Sequence, residues 1–243
     1  MTKTNHIAMW SGPRNISTTI MRSFENRADT SVIDEPFYAS YLARSGANHP
    51  FRSEILASQP NDYQGALAWT LADNQDGTKF KFHKHIAFHL EPDIALDWLL
   101  ETRCFLLIRD PRAMVASYAN RFEDVTPIIA SFRLECRIAD FMTHHKKSCP
   151  IVDAKDILTA PGTMMRKLCE EIDIPFNDAM LAWPAGKRKS DGVWAPHWYQ
   201  AVESSKGFRA FEEKFYDLTS ELQEVADACR SDFEFLHEQR LTP

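Results

Sequence analysis

A chain of 243 residues, 44% hydrophobic and 26% charged, has the make-up of a globular protein and the length for one sizeable α/β core. Its net charge of −6 excludes a general affinity for nucleic acid, so any anion site must come from local clusters of Arg and Lys. Five Cys, odd in number and without C-x-x-C spacing, exclude a disulfide framework and a zinc knuckle and suit a reducing compartment. The longest apolar run, Cys104 to Ile108, is far too short for a membrane span, and Pro13 and Arg14 interrupt the N-terminal apolar stretch where a leader would need one. The expectation is a single domain over residues 1–243 in the cytoplasm, without membrane or nucleic-acid partners.

Residues 5–28 carry the first motif. Ile7 to Trp10 reads as a buried strand, Ser11 to Asn15 as a turn, and Ser17 to Arg27 as a helix with Ile20, Met21 and Phe24 on one face. The first backbone N–H groups of such a helix are unpaired and point at the turn, where the helix dipole adds partial positive charge. Arg14 adds a full charge, and Ser17, Thr18 and Thr19 add hydroxyl donors, so the segment predicts a phosphate cradle. It is not a Walker loop, because Ile16-Ser17-Thr18 stands where Gly-Lys-Ser/Thr is needed.

Thr30 to Ile33 predicts a second strand, closed by Asp34-Glu35-Pro36. An acid at such a strand tip either caps the following helix, 37–44, or serves a ligand. Short helical patterns fill 45–75. Thr78 to His85 alternates as a third strand with Phe80 and Phe82 on one face, and His83, Lys84, His85 and His89 gather at its end. A helix is expected over 92–100. Arg103 to Ile108 is a fourth, central strand, and Arg109 sits at its tip ahead of an Asp110-Pro111 helix start. Ser117, two helical turns on, can reach the same anion as Arg109. A long helix over 127–147, a strand at 150–152 and a helix over 164–172 follow. Lys187-Arg188-Lys189 beside Gly192 suggests a mobile anion clamp. A helix running from Pro196 to Lys206, with Trp198 and Tyr199 towards an acceptor, and one amphipathic helix over 218–238 complete the chain. Strands alternating with helices predict an α/β fold, a parallel sheet flanked by helices with ligands at the strand C-terminal ends.

Pro13-Arg14 followed by Ser17-Thr18 resembles the 5′-phosphosulfate loop of sulfotransferases, usually Pro-Lys/Arg-Ser-Gly-Thr-Thr. Asn15 and Ile16 replace Ser and Gly there, and a branched residue tolerates positive φ poorly. Arg109-Asp110-Pro111-Arg112 followed by Ser117 resembles the same family's 3′-phosphate motif. Lys187-Arg188-Lys189 ahead of Gly192-Val193-Trp194 resembles its Arg-Lys-Gly loop. The resemblance implies a P-loop-like architecture and 3′-phosphoadenosine 5′-phosphosulfate (PAPS) as donor, without a metal. It also implies a small-molecule acceptor bearing a hydroxyl or amine. Arg14, Asn15, Ser17, Thr18 and Thr19 would hold the 5′ side, with Arg14 also stabilising the leaving group. Arg109, Ser117, Lys187, Arg188 and Lys189 would hold the 3′-phosphate.

Two residues stand as the base. Glu35 resembles the acid that glutamate-type members carry after the second strand. The other is a His from the Lys-x-His that cytosolic members carry after the third, here Lys81-Phe82-His83 or the shifted Lys84-His85. His85, nearer the strand end, is preferred over His83. The alternatives are a P-loop kinase of small molecules using ATP and magnesium, and a non-catalytic nucleotide-binding protein on the same fold. The acceptor, the base among Glu35, His83, Lys84 and His85, and the oligomeric state stay open.

Overall fold

The computed structural model describes residues 3–243. Five strands, β1 (Asn5–Ser11), β2 (Thr30–Asp34), β3 (Phe80–Ile86), β4 (Arg103–Ile108) and β5 (Ile151–Asp153), form one sheet in the order β2-β3-β1-β4-β5. Every pair is parallel. Helices cover both faces, so the central strands are apolar on both sides. Ile7 and Met9 of β1 enter one core, and Ala8 and Trp10 enter the other.

The first core closes on α1 (Ser17–Glu25), whose Phe24 stacks on Phe82 of β3 with ring centroids 4.3 Å apart. α2 (Tyr38–Ser45), α3 (Arg52–Ser58) and α4 (Tyr63–Leu71) fill the stretch between β2 and β3. After β4 come α5 (Pro111–Ala119) and α6 (Pro127–His144), and α6 buries Ile128, Phe132 and Ile138 in the second core. α7 (Ala154–Thr159) and α8 (Pro161–Glu171) follow β5, and α8 returns Met164, Met165 and Leu168 to the first core. α9 (Ala195–Trp198), α10 (Gln200–Glu203), α11 (Ser220–Ala228) and α12 (Arg230–Glu238) end the chain.

Four helix expectations need correction. Residues 92–100 form turns and a short 3₁₀ segment, Asp97–Glu101. The buried apolar residues there, Leu96 and Leu99, are three apart, and Leu96 O accepts from Leu99 N at 2.8 Å. The helix expected over 196–206 breaks at Tyr199, whose hydroxyl is pulled inward to Asp34. The last helix breaks at fully buried Cys229, which lets α11 lie on α5 while α12 lies on α6. The long helix also stops at His144, with Lys146 at φ 53°. All five Cys are free.

The connection after β1 leads towards the β2–β3 side, and the connection after β4 leads towards β5 on the other side. The C-terminal ends of β1 and β4 therefore flank a topological switch point, where open parallel sheets leave a crevice. Both sequence motifs begin there.

Candidate active site

The crevice is a cavity of ≈ 330 Å³, lined by the β1–α1 turn, the tips of β2, β3 and β4, α5, and the α9–α10 region. Gly12 lets the chain leave β1 beneath α5: a Cβ there would lie 2.4 Å from the Met114 methyl. The turn's left-handed residue is Arg14, at φ 59°, while Ile16 sits at φ −85°. The loss of the family's Gly at position 16 thus costs no strain, because the positive φ falls elsewhere. Asn15 fixes the turn from both sides: its amide donates to Leu107 O at 2.6 Å, and its side-chain oxygen accepts from Ile16 N at 2.9 Å. Ile16 gives α1 no side-chain cap, so the first N–H groups of the helix stay available to an anion.

The second motif meets the first. Arg14 Nε donates to Ser117 Oγ at 3.0 Å, and Arg109 Nη1 donates to Arg14 O at 2.6 Å. Burial, then Arg121 and Arg109, lower the Arg14 pKa. This crowding of like charge favours a bound anion. Asn15, Ser17, Thr18, Thr19, Arg14, Arg109 and Ser117 all line the cavity.

The run Lys187-Arg188-Lys189 does not. Asp191 ties that turn to the far half of α1: Arg22 Nη2 donates to Asp191 Oδ1, and Asp191 Oδ2 accepts from Arg188 N at 2.8 Å. Arg188 also pairs with Glu25 at 3.7 Å. Arg22 and Glu25 lie about 8–12 Å along the helix from Ser17. The structure brings a different cation to the cavity, Arg209. Gly207 pairs with Ala182 in an isolated bridge, and a Cβ there would lie 2.9 Å from Leu181 O. That close approach fixes the turn from which Arg209 projects. Ser205-Lys206-Gly207-Phe208-Arg209, cations beside a Gly, carries a sparser form of the signal that the run at 187–189 carries.

At the other end of the cavity, Lys84 lies between two acids. Its Nζ donates to Asp34 Oδ1 at 2.8 Å, Glu35 Oε1 at 2.6 Å and Tyr199 Oη at 2.6 Å. All three ammonium donors are used. Tyr199 Oη donates in turn to Asp34 Oδ2 at 2.7 Å and accepts from Trp194 Nε1 at 3.2 Å. Burial opposes the charge on Lys84, but Asp34 and Glu35 outweigh it and hold the group protonated. Glu35 is pushed up by burial and by Asp34, with Lys84 pulling the other way. Glu35 also has φ 42°, ahead of Pro36, a sparsely populated conformation for a non-Gly residue. That twist at the end of β2 turns its carboxyl into the cavity.

The preference for His85 is corrected. β3 alternates, so Lys84 faces the cavity side and His85 faces the second core. Its ring stacks on Trp10 at 4.1 Å, it is 1% exposed, and neither ring nitrogen has a partner. Burial drops its pKa to about 3. His83 is on the same inner side, its Nε2 3.0 Å from His6 Nδ1.

His85 has a stability signature. Its folded pKa lies below the unfolded value, so the unfolded chain binds the extra proton as pH falls from about 6.5 towards 3, and stability is lost over that window. His85→Phe removes that proton. Its unfolding free energy, followed by urea titration from pH 6 to pH 4, is expected to fall less steeply than that of the wild type, by about 1.4 kcal/mol per pH unit. Equal slopes would show that His85 does not titrate this way.

Residues 5–231 match the model of a sulfotransferase domain. The curated relatives include branched-chain-amino-acid aminotransferase-like proteins 1 and 2 of Arabidopsis thaliana, 33% and 32% identical over 93% and 87% of this chain. The chain spans about two fifths of their length, 41% and 39%. Among solved structures, a sulfotransferase from Alicyclobacillus acidocaldarius superposes with a TM-score of 0.59 at 8% identity, covering 99% of this chain and 98% of its own. The sulfotransferase domain of the Synechococcus PCC 7002 olefin synthase superposes with a TM-score of 0.53 at 16% identity, covering 93% and 95%. At these identities the likeness is one of fold. Among the described residues, no helix is long and apolar enough to cross a membrane. The family match runs through both strand-tip motifs and the Lys84 cluster: the chain belongs to the sulfotransferase family.

Proposed function

We propose that the chain transfers the sulfuryl group of PAPS to a hydroxyl or amine of a small acceptor. The observation that carries this reading is the joining of two separate anion motifs, Arg14 to Ser117 and Arg109 to the Arg14 carbonyl, in one cavity with a buried acid. A donor with distinct 5′ and 3′ phosphates suits two such motifs. The amides at the start of α1, with Arg14, Asn15, Ser17, Thr18 and Thr19, would take the 5′ side. Arg109 and Ser117 would take the 3′-phosphate, with Arg209 as the third cation in place of Lys187, Arg188 and Lys189.

In the reaction the acceptor heteroatom attacks sulfur in line, and the bond from sulfur to the 5′-phosphate oxygen breaks. The acceptor proton passes to the Glu35 carboxylate, and 3′,5′-adenosine diphosphate leaves with the electron pair. Burial makes Glu35 more basic than a surface acid, while Lys84 keeps an ionised fraction in place. Charge growing on the leaving phosphate meets Arg14 and the fixed N–H groups of α1, a preorganised stabiliser.

Arg109→Ala is expected to weaken binding of 3′,5′-adenosine diphosphate about 10–100-fold, the worth of one charge-assisted hydrogen-bonding group. Binding of 5′-AMP is expected to change little. Calorimetric titration of both nucleotides checks this, and unchanged bisphosphate affinity would sink the 3′-phosphate assignment.

A further inference from the structure

His89 lies just beyond β3, in a 3₁₀ turn, Ala87–His89, that carries the chain over the cavity. Its ring is held between two tyrosines, 4.5 Å from Tyr38 and 5.0 Å from Tyr41, with interplanar angles of 10° and 23°. This sandwich leaves the imidazole little freedom to rotate. Its Nδ1 is sealed from solvent, has no hydrogen-bond partner, and lies 4.0 Å from Glu35 Oε2. That is the carboxyl oxygen Lys84 does not hold, since Lys84 Nζ bonds Oε1. Nε2 is not among the sealed atoms, and the residue lines the cavity, so the ring meets the cavity by its Nε2 edge. The ring thus stands between the Glu35 carboxylate and the cavity, Nδ1 towards the one and Nε2 towards the other.

We infer that His89 is a catalytic residue that relays the acceptor's proton to Glu35. The inference rests on the sulfuryl-transfer reading above. In the resting state Nδ1 carries the ring proton and faces Glu35 Oε2, and Nε2 is bare. As the acceptor oxygen or nitrogen bonds to sulfur, its proton moves to Nε2 and the Nδ1 proton moves to Glu35 Oε2. The imidazole ends neutral, the acid ends protonated, and no charge is left on the buried ring. The direct path needs Nδ1 and Oε2 to close by about 1 Å to hydrogen-bond distance.

The surroundings favour such a relay over a stable imidazolium. Burial first, then His49, Lys84, His85 and Arg44, disfavour a charged ring, and among the described residues Glu35 is the acid paired with it, at 4.0 Å. Tyr38 and Tyr41 supply faces rather than charges, and the Tyr38 hydroxyl is itself 2.8 Å from His49 Nδ1.

The test has two arms. In ¹⁵N-labelled wild-type protein, the ring nitrogens of His89 are expected to show a neutral imidazole with the proton on Nδ1 and a bare Nε2 from pH 6 to pH 8. A proton on Nε2 with a bare Nδ1 would overturn the relay, whatever the activity. In the second arm, His89→Asn keeps an N–H facing Glu35 but cannot take a proton on the cavity side. With PAPS and phenol as acceptor, which keeps its proton at neutral pH, kcat is expected to fall about a hundredfold. Calorimetric affinity for 3′,5′-adenosine diphosphate is expected to stay within about twofold, and added imidazole is expected to restore part of the rate. Wild-type kcat in His89→Asn would overturn the relay. Failure of the wild type to bind the bisphosphate would instead overturn the donor reading beneath it, and the two failures are thereby distinct.

Discussion

Lys84→Met is expected to destabilise the fold by about 3–5 kcal/mol, the cost of breaking a buried ion cluster from one side. Lys84 and Asp34 have side chains 1% and 2% exposed, and Glu35 is 11% exposed. The ammonium reaches Asp34, Glu35 and Tyr199 at once, and no other cation is paired with either acid among the described residues. Methionine fills similar volume, so the loss isolates charge rather than packing. The effect spreads because the cluster crosses three elements. Asp34 Oδ2 also accepts from Gly192 N at 3.2 Å and from Tyr199, so releasing it loosens the 192–199 segment that closes one side of the cavity. Urea unfolding at pH 7 measures the loss. A change below about 1 kcal/mol would mean that water already solvates the acids. The triple variant with Asp34→Asn and Glu35→Gln is expected to recover part of the stability, since no uncompensated carboxylate remains.

Glu35→Gln is expected to lower kcat about 10³-fold, within the range general bases contribute, while affinity for 3′,5′-adenosine diphosphate stays within about twofold. Glutamine keeps the shape and still accepts from Lys84, and its backbone tolerates the φ of 42° as well as glutamate does. What it removes is the group that can hold a proton. Steady-state rates with PAPS and phenolic acceptors, beside calorimetry, separate the two effects. A rate within tenfold of wild type would exclude Glu35 as the proton's destination. A parallel loss of bisphosphate binding would show that Glu35 shapes the donor site instead.

The parallel sheet, the strand–turn–helix of β1 and α1, and the meeting of Arg109 and Ser117 at one cavity were legible because each rests on local rules. A buried run, a turn, an unpaired helix start and an eight-residue offset are all visible within a short window. The place of Glu35 at the cavity was legible for the same reason, as an acid at a strand tip. The choice among His83, Lys84 and His85 failed because one residue of strand register reverses the face. The composition of Lys84-His85 says nothing of which side is core. Only the sheet shows that Trp10 and Phe37 cover His85 while Asp34 and Tyr199 meet Lys84. The bond between Lys84 and Tyr199 and the place of Arg209 were hidden by sequence distance. Tyr199 is 115 residues from Lys84, and no local pattern marks such a contact. The 187–189 cations misled because charge density is a weak guide to location, and Asp191 and Glu25 hold Arg188 against α1, away from the cavity.

Calorimetric titration of the wild-type chain with 3′,5′-adenosine diphosphate, with ATP and magnesium as comparison, tests the central claim most directly. A cavity built on two separate anion motifs predicts tight bisphosphate binding, at least tenfold tighter than ATP. Preference for ATP, or equal affinity for the two, would contradict the assignment of Arg109 and Ser117 to a 3′-phosphate and the donor that follows from it.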